Sequence, residues 1–392
     1  MISNLRAKLK LMAKEQGQPL RDETAIPQDT LSARAEQQAG LRHEVARYPL
    51  GFKRGRCAVD GFLQADPKAA ALLGGPQVGF DPRRALFIDT ETTGLQGSGA
   101  LAFLVGLGYF EQNEFVVEQF LMRDLCYEAD LLTACGRLWM NFDTLVTFNG
   151  RAFDWPLLRS RLIMNRLRQY DKEFYQMDLL YPARRVWSLR LQSCRLTALE
   201  RDILGEERQG DIDGAEIPGR YYRYLRTGEE GLLSDIVLHN RLDVATMPAL
   251  AGELCRLMEN PETAGHVQDI KSLGRIYHRQ GELALAEKLY SLSGAIACRE
   301  LGLLYKKEGR LEEAAAVWVQ MVQKGLGGVF PHVELAKYAE HTLKDYEAAC
   351  DWTQKALRFP LLGAQTQAEL RHRLHRLQGK LAREREQKEE AT

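Results

Sequence analysis

The sequence predicts an α/β domain built on a mixed sheet flanked by helices, followed by an all-α region of repeated helix pairs. Three observations carry this. First, "ALFIDT", "LAFLVGLGYF" and "EFVVEQFLM" follow one another as apolar, strand-like runs, the last two joined around Glu111, Gln112 and Asn113 as a hairpin. Second, helical spacing then alternates with another strand: "ADLLTACGRLWMNF" reads as a helix, "TLVTF" as a fourth strand, and "WPLLRSRLIMNRL" as a helix with Pro156 in its first turn. Third, beyond the proline and glycine break "ENPETAG" the chain becomes helical and repetitive. A hairpin followed by alternating helix and strand is the pattern of a mixed sheet with helical cover.

Taken in order, residues 1–82 form a polar, helical N-terminal extension. It begins with a helix in "NLRAKLKLMAKEQ", passes through the loop-rich "RYPLGFKRGRCAVDGF", and offers no catalytic reading. Residues 83–258 form the sheet domain, 266–360 the helical repeats, and 361–392 a charged helix or tail with a solvated, fraying character. At 392 residues with 45% hydrophobic content, the chain can fill two or three cores. Fifty-three basic residues balance 53 acidic ones, so any affinity for a polyanion must come from local patches. Seven scattered cysteines without a CxxC pair read as reduced, mostly buried thiols of a cytoplasmic protein. The first thirty residues lack the apolar core of a signal peptide, and no run approaches 18 apolar residues, so no membrane association is expected.

In the helical region, "YHRQGELALAEKLY" (277–290), "YKKEGRLEEAAAVW" (305–318) and "YAEHTLKDYEAACDW" (338–352) share one order: an aromatic residue, a short polar turn, then an alanine-rich helix. Leu283 and Leu311 are 28 residues apart, and Leu311 and Tyr346 are 35 apart. These segments resemble tetratricopeptide repeats, whose period is about 34 residues. Ala286, Ala314 and Ala348 would let paired helices approach closely. An irregular helical bundle is the alternative.

The chemistry centres on acids. Asp89 and Glu91 are two apart at the end of a strand, so both point to one face, where like charges repel unless a cation lies between them. The same acids could simply close a strand. Asp154 follows "TLVTFNGRAF" at a helix start, where it would serve as an N-cap, as a site residue, or as both. His239 and Asp243 lie four apart on a strongly apolar helix and share a face, which calls for partners.

Together, "FIDTETTG", "TFNGRAFDWPLL" and "HNRLD" resemble the three motifs of the DEDD superfamily of 3'-5' exonucleases, which has a ribonuclease H-like fold. The wider run "QMDLLYPARRVW", "LGEERQGDIDGAEIPGRYYRYL" and "LHNRLDVATM" is similar to the YprB-like branch, and the resemblance spans residues 84 to 256. It implies a metal-dependent nuclease using two Mg²⁺ or Mn²⁺ ions about 4 Å apart, one activating water and the other neutralising the leaving oxygen. Asp89 would bridge the ions, Glu91 and Asp243 would hold the water-activating one, and Asp154 would hold the other. His239 departs from the pattern: it sits four residues before Asp243, the spacing of the tyrosine subfamily. A role as general base and a role in holding the site are both open. Asn149 and Asn240 would be positioning or substrate-binding groups, and Thr92, Thr93 and Gly94 would bring backbone donors to the terminal nucleotide. Asp178 matches a position of the branch without an assigned role.

For phosphates, residues 151–201 hold eleven Lys and Arg against five Asp and Glu, including Arg151. In "IPGRYYRYLR", Arg220, Arg223 and Arg226 interleave with Tyr221, Tyr222 and Tyr224, an arrangement suited either to stacking single strands or to a helix core. The expected partners are therefore DNA or RNA, single-stranded or at 3' ends, with a protein partner on the repeats. An endonuclease of the same fold, and a non-catalytic nucleic-acid-binding scaffold, are the competing readings.

Overall fold

The computed structural model describes residues 36–38, 40–94 and 99–390. The chain divides into two compact units, one of Met1–Leu180 with Arg195–Cys255, the other of Tyr181–Cys194 with Arg256–Thr392. The segment Tyr181–Cys194, which the sequence reading places inside the sheet domain, thus belongs to the second unit.

In the first unit seven strands form one sheet: β1 (Glu36–Gln38), β2 (Leu41–Pro49), β3 (Ala85–Thr92), β4 (Ala102–Glu111), β5 (Glu114–Met122), β6 (Thr144–Thr147) and β7 (Tyr175–Asp178). Their order is β1-β2-β5-β4-β3-β6-β7. Every pair from β1 to β3 is antiparallel, whereas β3–β6 and β6–β7 are parallel. The sheet is mixed, as the sequence predicts, and β3 stands where its two halves meet. All of β4 but its last residue is buried, which requires cover on both faces.

Side chains alternate along β3, and the two faces differ. Leu86 and Ile88 join a core with Leu131, Leu132 and Trp139 of α1 (Glu128–Trp139) and with Trp155 and Leu158 of α2 (Asp154–Met164). Phe87 points the other way, where Phe62, Phe110 and Phe115 meet its ring edge-on at 5.5–6.2 Å. On that face runs the long helix α4 (Gly231–Glu259), preceded by α3 (Ile217–Thr227). Gly106 and Gly108 of β4 let α4 come close. A Cβ at Gly106 would overlap Asn240, and one at Gly108 would lie 2.6 Å from Val244.

The N-terminal extension differs from expectation. The helix expected in residues 4–16 lies outside the described residues. The passage read as loop starts inside β2, whose last residues Arg47–Pro49 it contains and which pairs along its whole length with β5. Its sequence "LRHEVARYP" hides this because its outward positions carry charges that find cross-strand partners. Arg47 meets Glu111 at 2.9 Å and Glu114 at 3.1 Å, and His43 meets Glu118 at 2.7 Å. Charged strands near a sheet edge resist further pairing.

The second unit is helical. Val267–Gln280 pairs with Leu283–Ser293, Cys298–Lys307 with Leu311–Gln323, and Val329–Tyr338 with Tyr346–Leu357. Gly281 and Gly309 end the first helix of the first two pairs at φ of 84° and 79°, left-handed positions where glycine is unstrained. The charged tail is a docked helix, Ala364–Glu390: Leu370 and Leu377 are buried, and Arg373, Arg376 and Lys380 converge on Glu340 at 2.8, 2.8 and 2.9 Å. Its other described residues are mostly exposed, so the charged helix has the solvated face its composition suggests and an apolar stripe besides. No helix among the described residues is long and apolar enough to cross a membrane. None of the seven cysteines forms a disulfide, and Cys135, Cys255, Cys298 and Cys350 are buried.

Candidate functional site

The acids gather at the carboxyl ends of the parallel strands, the edge where open α/β sheets present ligand sites. Asp89 and Glu91 continue the Phe87 face of β3, towards α4. The first turns of α4's inward face supply Asn240, which is fully buried. Its Nδ2 donates to Asp89 Oδ2 at 2.8 Å and to the Asp89 carbonyl at 3.2 Å, while its Oδ1 accepts from Gln119 at 2.8 Å. Asn240 therefore positions Asp89; it is not exposed to bind substrate.

Strand β6 leads into a tight loop in which Asn149 adopts a φ of 70°, unusual for a side-chain-bearing residue. Asp178, buried at the end of β7, holds this loop by accepting the backbone N–H of Asn149 at 2.8 Å and of Arg151 at 3.1 Å, with that of Leu180 at 3.1 Å. This gives Asp178 the role its motif left blank. Asp154 is the first residue of α2, and Phe153 is the N-cap without a side-chain cap. The capping reading of Asp154 thus fails. Its carboxylate turns instead to the Thr90 hydroxyl, which donates to Oδ1.

On α4, His239 and Asp243 face the same region. His239 Nδ1 lies 2.7 Å from Asp211 Oδ1, and its Nε2 lies 3.6 Å from Asp243 Oδ2. Asp243 Oδ1 is paired with the buried guanidinium of Arg208. Arg208 also meets Glu200 at 2.7 Å and Asp211 at 3.0 Å. Glu200 is tied in turn to Arg54 at 3.2 Å and to the Thr246 hydroxyl.

The electrostatics are lopsided. Burial and the charges of Asp243, Glu91 and Asp154 raise Asp89 well above the carboxylate range, against a smaller pull from its Asn240 hydrogen bond. Burial, then Asp243, Asp154 and Asp211, raise Glu91 likewise. Burial pushes Asp154 up to about 6 despite the Thr90 hydrogen bond, and raises Asp243 despite Arg208 and His239. Four carboxylates thus burden one another, and the donor set is all oxygen, which suits hard divalent cations. Among the described residues no three His, Cys, Asp or Glu side chains form a ready-made cage. Asp89, Asp154 and Asp243 each lean on a protein donor, namely Asn240, Thr90 and Arg208, rather than on a common centre.

Beside the acids is a cleft of about 480 Å³ lined by Thr90, Thr92, Gly94, Asn149, Phe153 and Asp154, with Phe148 and Leu157 among its apolar walls. Thr92 and Gly94 line it, with the Thr92 hydroxyl donating to the Gly94 carbonyl at 2.8 Å. Thr93 does not: its N–H donates to the Leu101 carbonyl at 2.9 Å and its hydroxyl accepts the Leu101 N–H at 3.0 Å. Arg151 is exposed near the loop, and Arg223 is exposed on α3. Two of the three tyrosines beside it are core residues. Tyr221 stacks on Phe103 with centroids 3.7 Å apart and Tyr224 is buried, leaving Tyr222 exposed. Of the cations in residues 151–201, Arg159, Arg161, Lys172, Arg190 and Arg201 are held in ion pairs. Those at 184–190 belong to the second unit.

Sequence reasoning missed Arg54, Glu200, Arg208 and Asp211. One signal was present. In "LTALERDIL", Leu196, Leu199, Ile203 and Leu204 mark an apolar stripe, and Glu200 falls on it, a carboxylate that demands a buried cation.

A family profile described as RNase_H superfamily matches residues 86–255. "Uncharacterized protein YprB" of Bacillus subtilis (strain 168) is 31% identical over 294 residues, which cover 71% of this chain and 70% of YprB. Among solved structures, the family B DNA polymerase of the hyperthermophilic archaeon Pyrobaculum calidifontis matches over 52% of this chain, with a TM-score of 0.36 and 14% identity; the match covers 30% of the polymerase. The chain belongs to the family of YprB, and its residues 86–255 match the RNase H superfamily.

Proposed function

We propose that the protein is a metal-dependent nuclease, a 3'-5' exonuclease that hydrolyses phosphodiester bonds of single-stranded DNA or RNA. The observation that carries this reading is the mutual burden of Asp89, Glu91, Asp154 and Asp243 at the carboxyl ends of the strands. Keeping such charges close costs stability, and perturbed carboxylates in a cleft are the mark of a working site. In this reading Asp89, Glu91, Asp154 and Asp243 would hold divalent ions such as Mg²⁺ or Mn²⁺. When bound, the ions supply an activated water and neutralise charge on the leaving oxygen. His239 takes the proton of that water at Nε2, as a correctly oriented neutral imidazole can. The water oxygen bonds to phosphorus, the bond to the leaving oxygen breaks, and that oxygen is protonated from solvent. Phe148 and Phe153 in the cleft give the terminal base a surface to stack on, and Thr92 and Gly94 border its sugar.

The helical unit is read as a tetratricopeptide-like platform for a protein partner. In support, Gly274 and Gly302, 28 residues apart, leave room for Tyr290 and Trp318, themselves 28 apart, in two successive helix pairs. Cysteines that form no disulfide fit a cytoplasmic protein.

The test is the full chain with Mn²⁺ or Mg²⁺ on 3'- and 5'-labelled DNA and RNA, linear and circular. Shortening from the 3' end of linear strands, with circles intact, is expected. Cutting of circles would make it an endonuclease, and nucleic-acid binding without cleavage would make it a scaffold.

A further inference from the structure

The loop at residues 205–213 has no role in the reading above, yet it delivers two side chains to the acids. Asp211 uses both carboxylate oxygens: Oδ1 lies 2.7 Å from His239 Nδ1, and Oδ2 accepts from Arg208 Nη1 at 3.0 Å. The side chains of His239 and Asp211 are only 12% and 17% exposed. Arg208 is anchored on Glu200, and Glu200 is fixed from behind by Arg54 and Thr246. Asp211 is therefore a braced acceptor. The other ring nitrogen, Nε2, stands 3.6 Å from Asp243 Oδ2, beyond hydrogen-bond reach.

We propose that Asp211 is the positioning residue of His239: by accepting the Nδ1 proton it fixes the ring and leaves Nε2 as the nitrogen facing the acids. This rests on the reading that His239 handles the proton of the attacking water. A neutral imidazole has two tautomers and can flip about its ring bond, and only one arrangement puts a lone pair where a proton must be received. A carboxylate on the distal nitrogen selects that arrangement and steadies the imidazolium that forms. Helix α4 sets the place of His239 one turn before Asp243, and the loop sets its orientation.

The experiment uses the full-length wild type, Asp211→Asn, His239→Gln and the double variant. Asp211→Asn is expected to lower kcat on labelled single strands with Mn²⁺ by about 10- to 100-fold, the usual cost of losing an orienting partner, with Mn²⁺ affinity unchanged. In the His239→Gln background the same substitution is expected to cost nothing further. By ¹⁵N NMR, the neutral His239 ring is expected to carry its proton on Nδ1 in the wild type and to lose that preference in Asp211→Asn. An unchanged kcat, additive losses, or a wild-type ring protonated at Nε2 would overturn the proposal. The wild-type spectrum decides even where Asp211→Asn does not fold. Wild type without activity on any substrate counts against the nuclease reading instead, and the spectrum still judges Asp211.

Discussion

Glu340 and Asp89 are both carboxylates withdrawn from water, and they settle their charge in opposite ways. Glu340, in the helical unit, has no exposed side-chain surface and is met by Arg373, Arg376 and Lys380. Burial alone would raise its pKa, but Lys380, His341 and Arg376 hold it below the usual carboxylate range. Asp89 is met by one neutral amide and three further acids, and it is raised well above that range. A buried acid that serves only the fold is paired, because an unpaired one is costly. The acids at the end of β3 have no such cations around them, and in the proposed reading a bound divalent ion would take that place.

The largest effect expected from this contrast is on catalysis. If the proposed function holds, Asp89→Asn should lower nuclease activity by about 10³-fold, since losing a metal-holding carboxylate removes several kcal/mol of charge stabilisation. The same variant should melt at a higher temperature than wild type in EDTA, because it removes one of the repelling charges. Glu340→Gln should behave oppositely, lowering stability by about 2 kcal/mol in a urea titration, since three cations lose their acceptor. Asp178→Asn, which weakens the acceptor of the Asn149 and Arg151 amides, should destabilise by about 1 kcal/mol and reduce kcat roughly tenfold.

The same contrast appears as a slope with pH. Asp154 is raised from an ordinary value near 3.8 to about 6. Between those values the folded state holds more protons than the unfolded one, so stability in EDTA should fall as pH rises from about 4 to about 6. One such proton gives at most about 1.4 kcal/mol per pH unit. Glu340, held low, contributes in the other sense: its stabilisation is present above its unfolded value and lost as pH falls through the folded one. Melting curves in EDTA across that range, with Asp154→Asn and Glu340→Gln beside wild type, separate the two slopes.

How much of this could be read in the sequence depended on how local each signal was. The sheet and its flanking helices were legible because their apolar runs are strong, and the three motifs because each places its acids against an apolar run. Strand β2 was illegible because its charges, Arg47 and His43 among them, are satisfied only across the sheet by Glu111, Glu114 and Glu118. The core role of Tyr221 depends on Phe103, more than a hundred residues away. The same limit hid Arg208 and Asp211, whose partners Asp243 and His239 lie on a helix about thirty residues further on. Asn240 adjoins a motif residue, and only its contacts with Gln119 and Asp89 reveal that it positions rather than binds substrate.

The most direct measurement is a Mn²⁺ titration of the full chain by electron paramagnetic resonance, without nucleic acid, with Asp89→Asn and Glu340→Gln in parallel. Saturable Mn²⁺ binding by wild type and Glu340→Gln, weakened or lost in Asp89→Asn, is the expected result. Binding equal in all three proteins, or in none, would contradict the claim that the burdened acids at the end of β3 are a cation site.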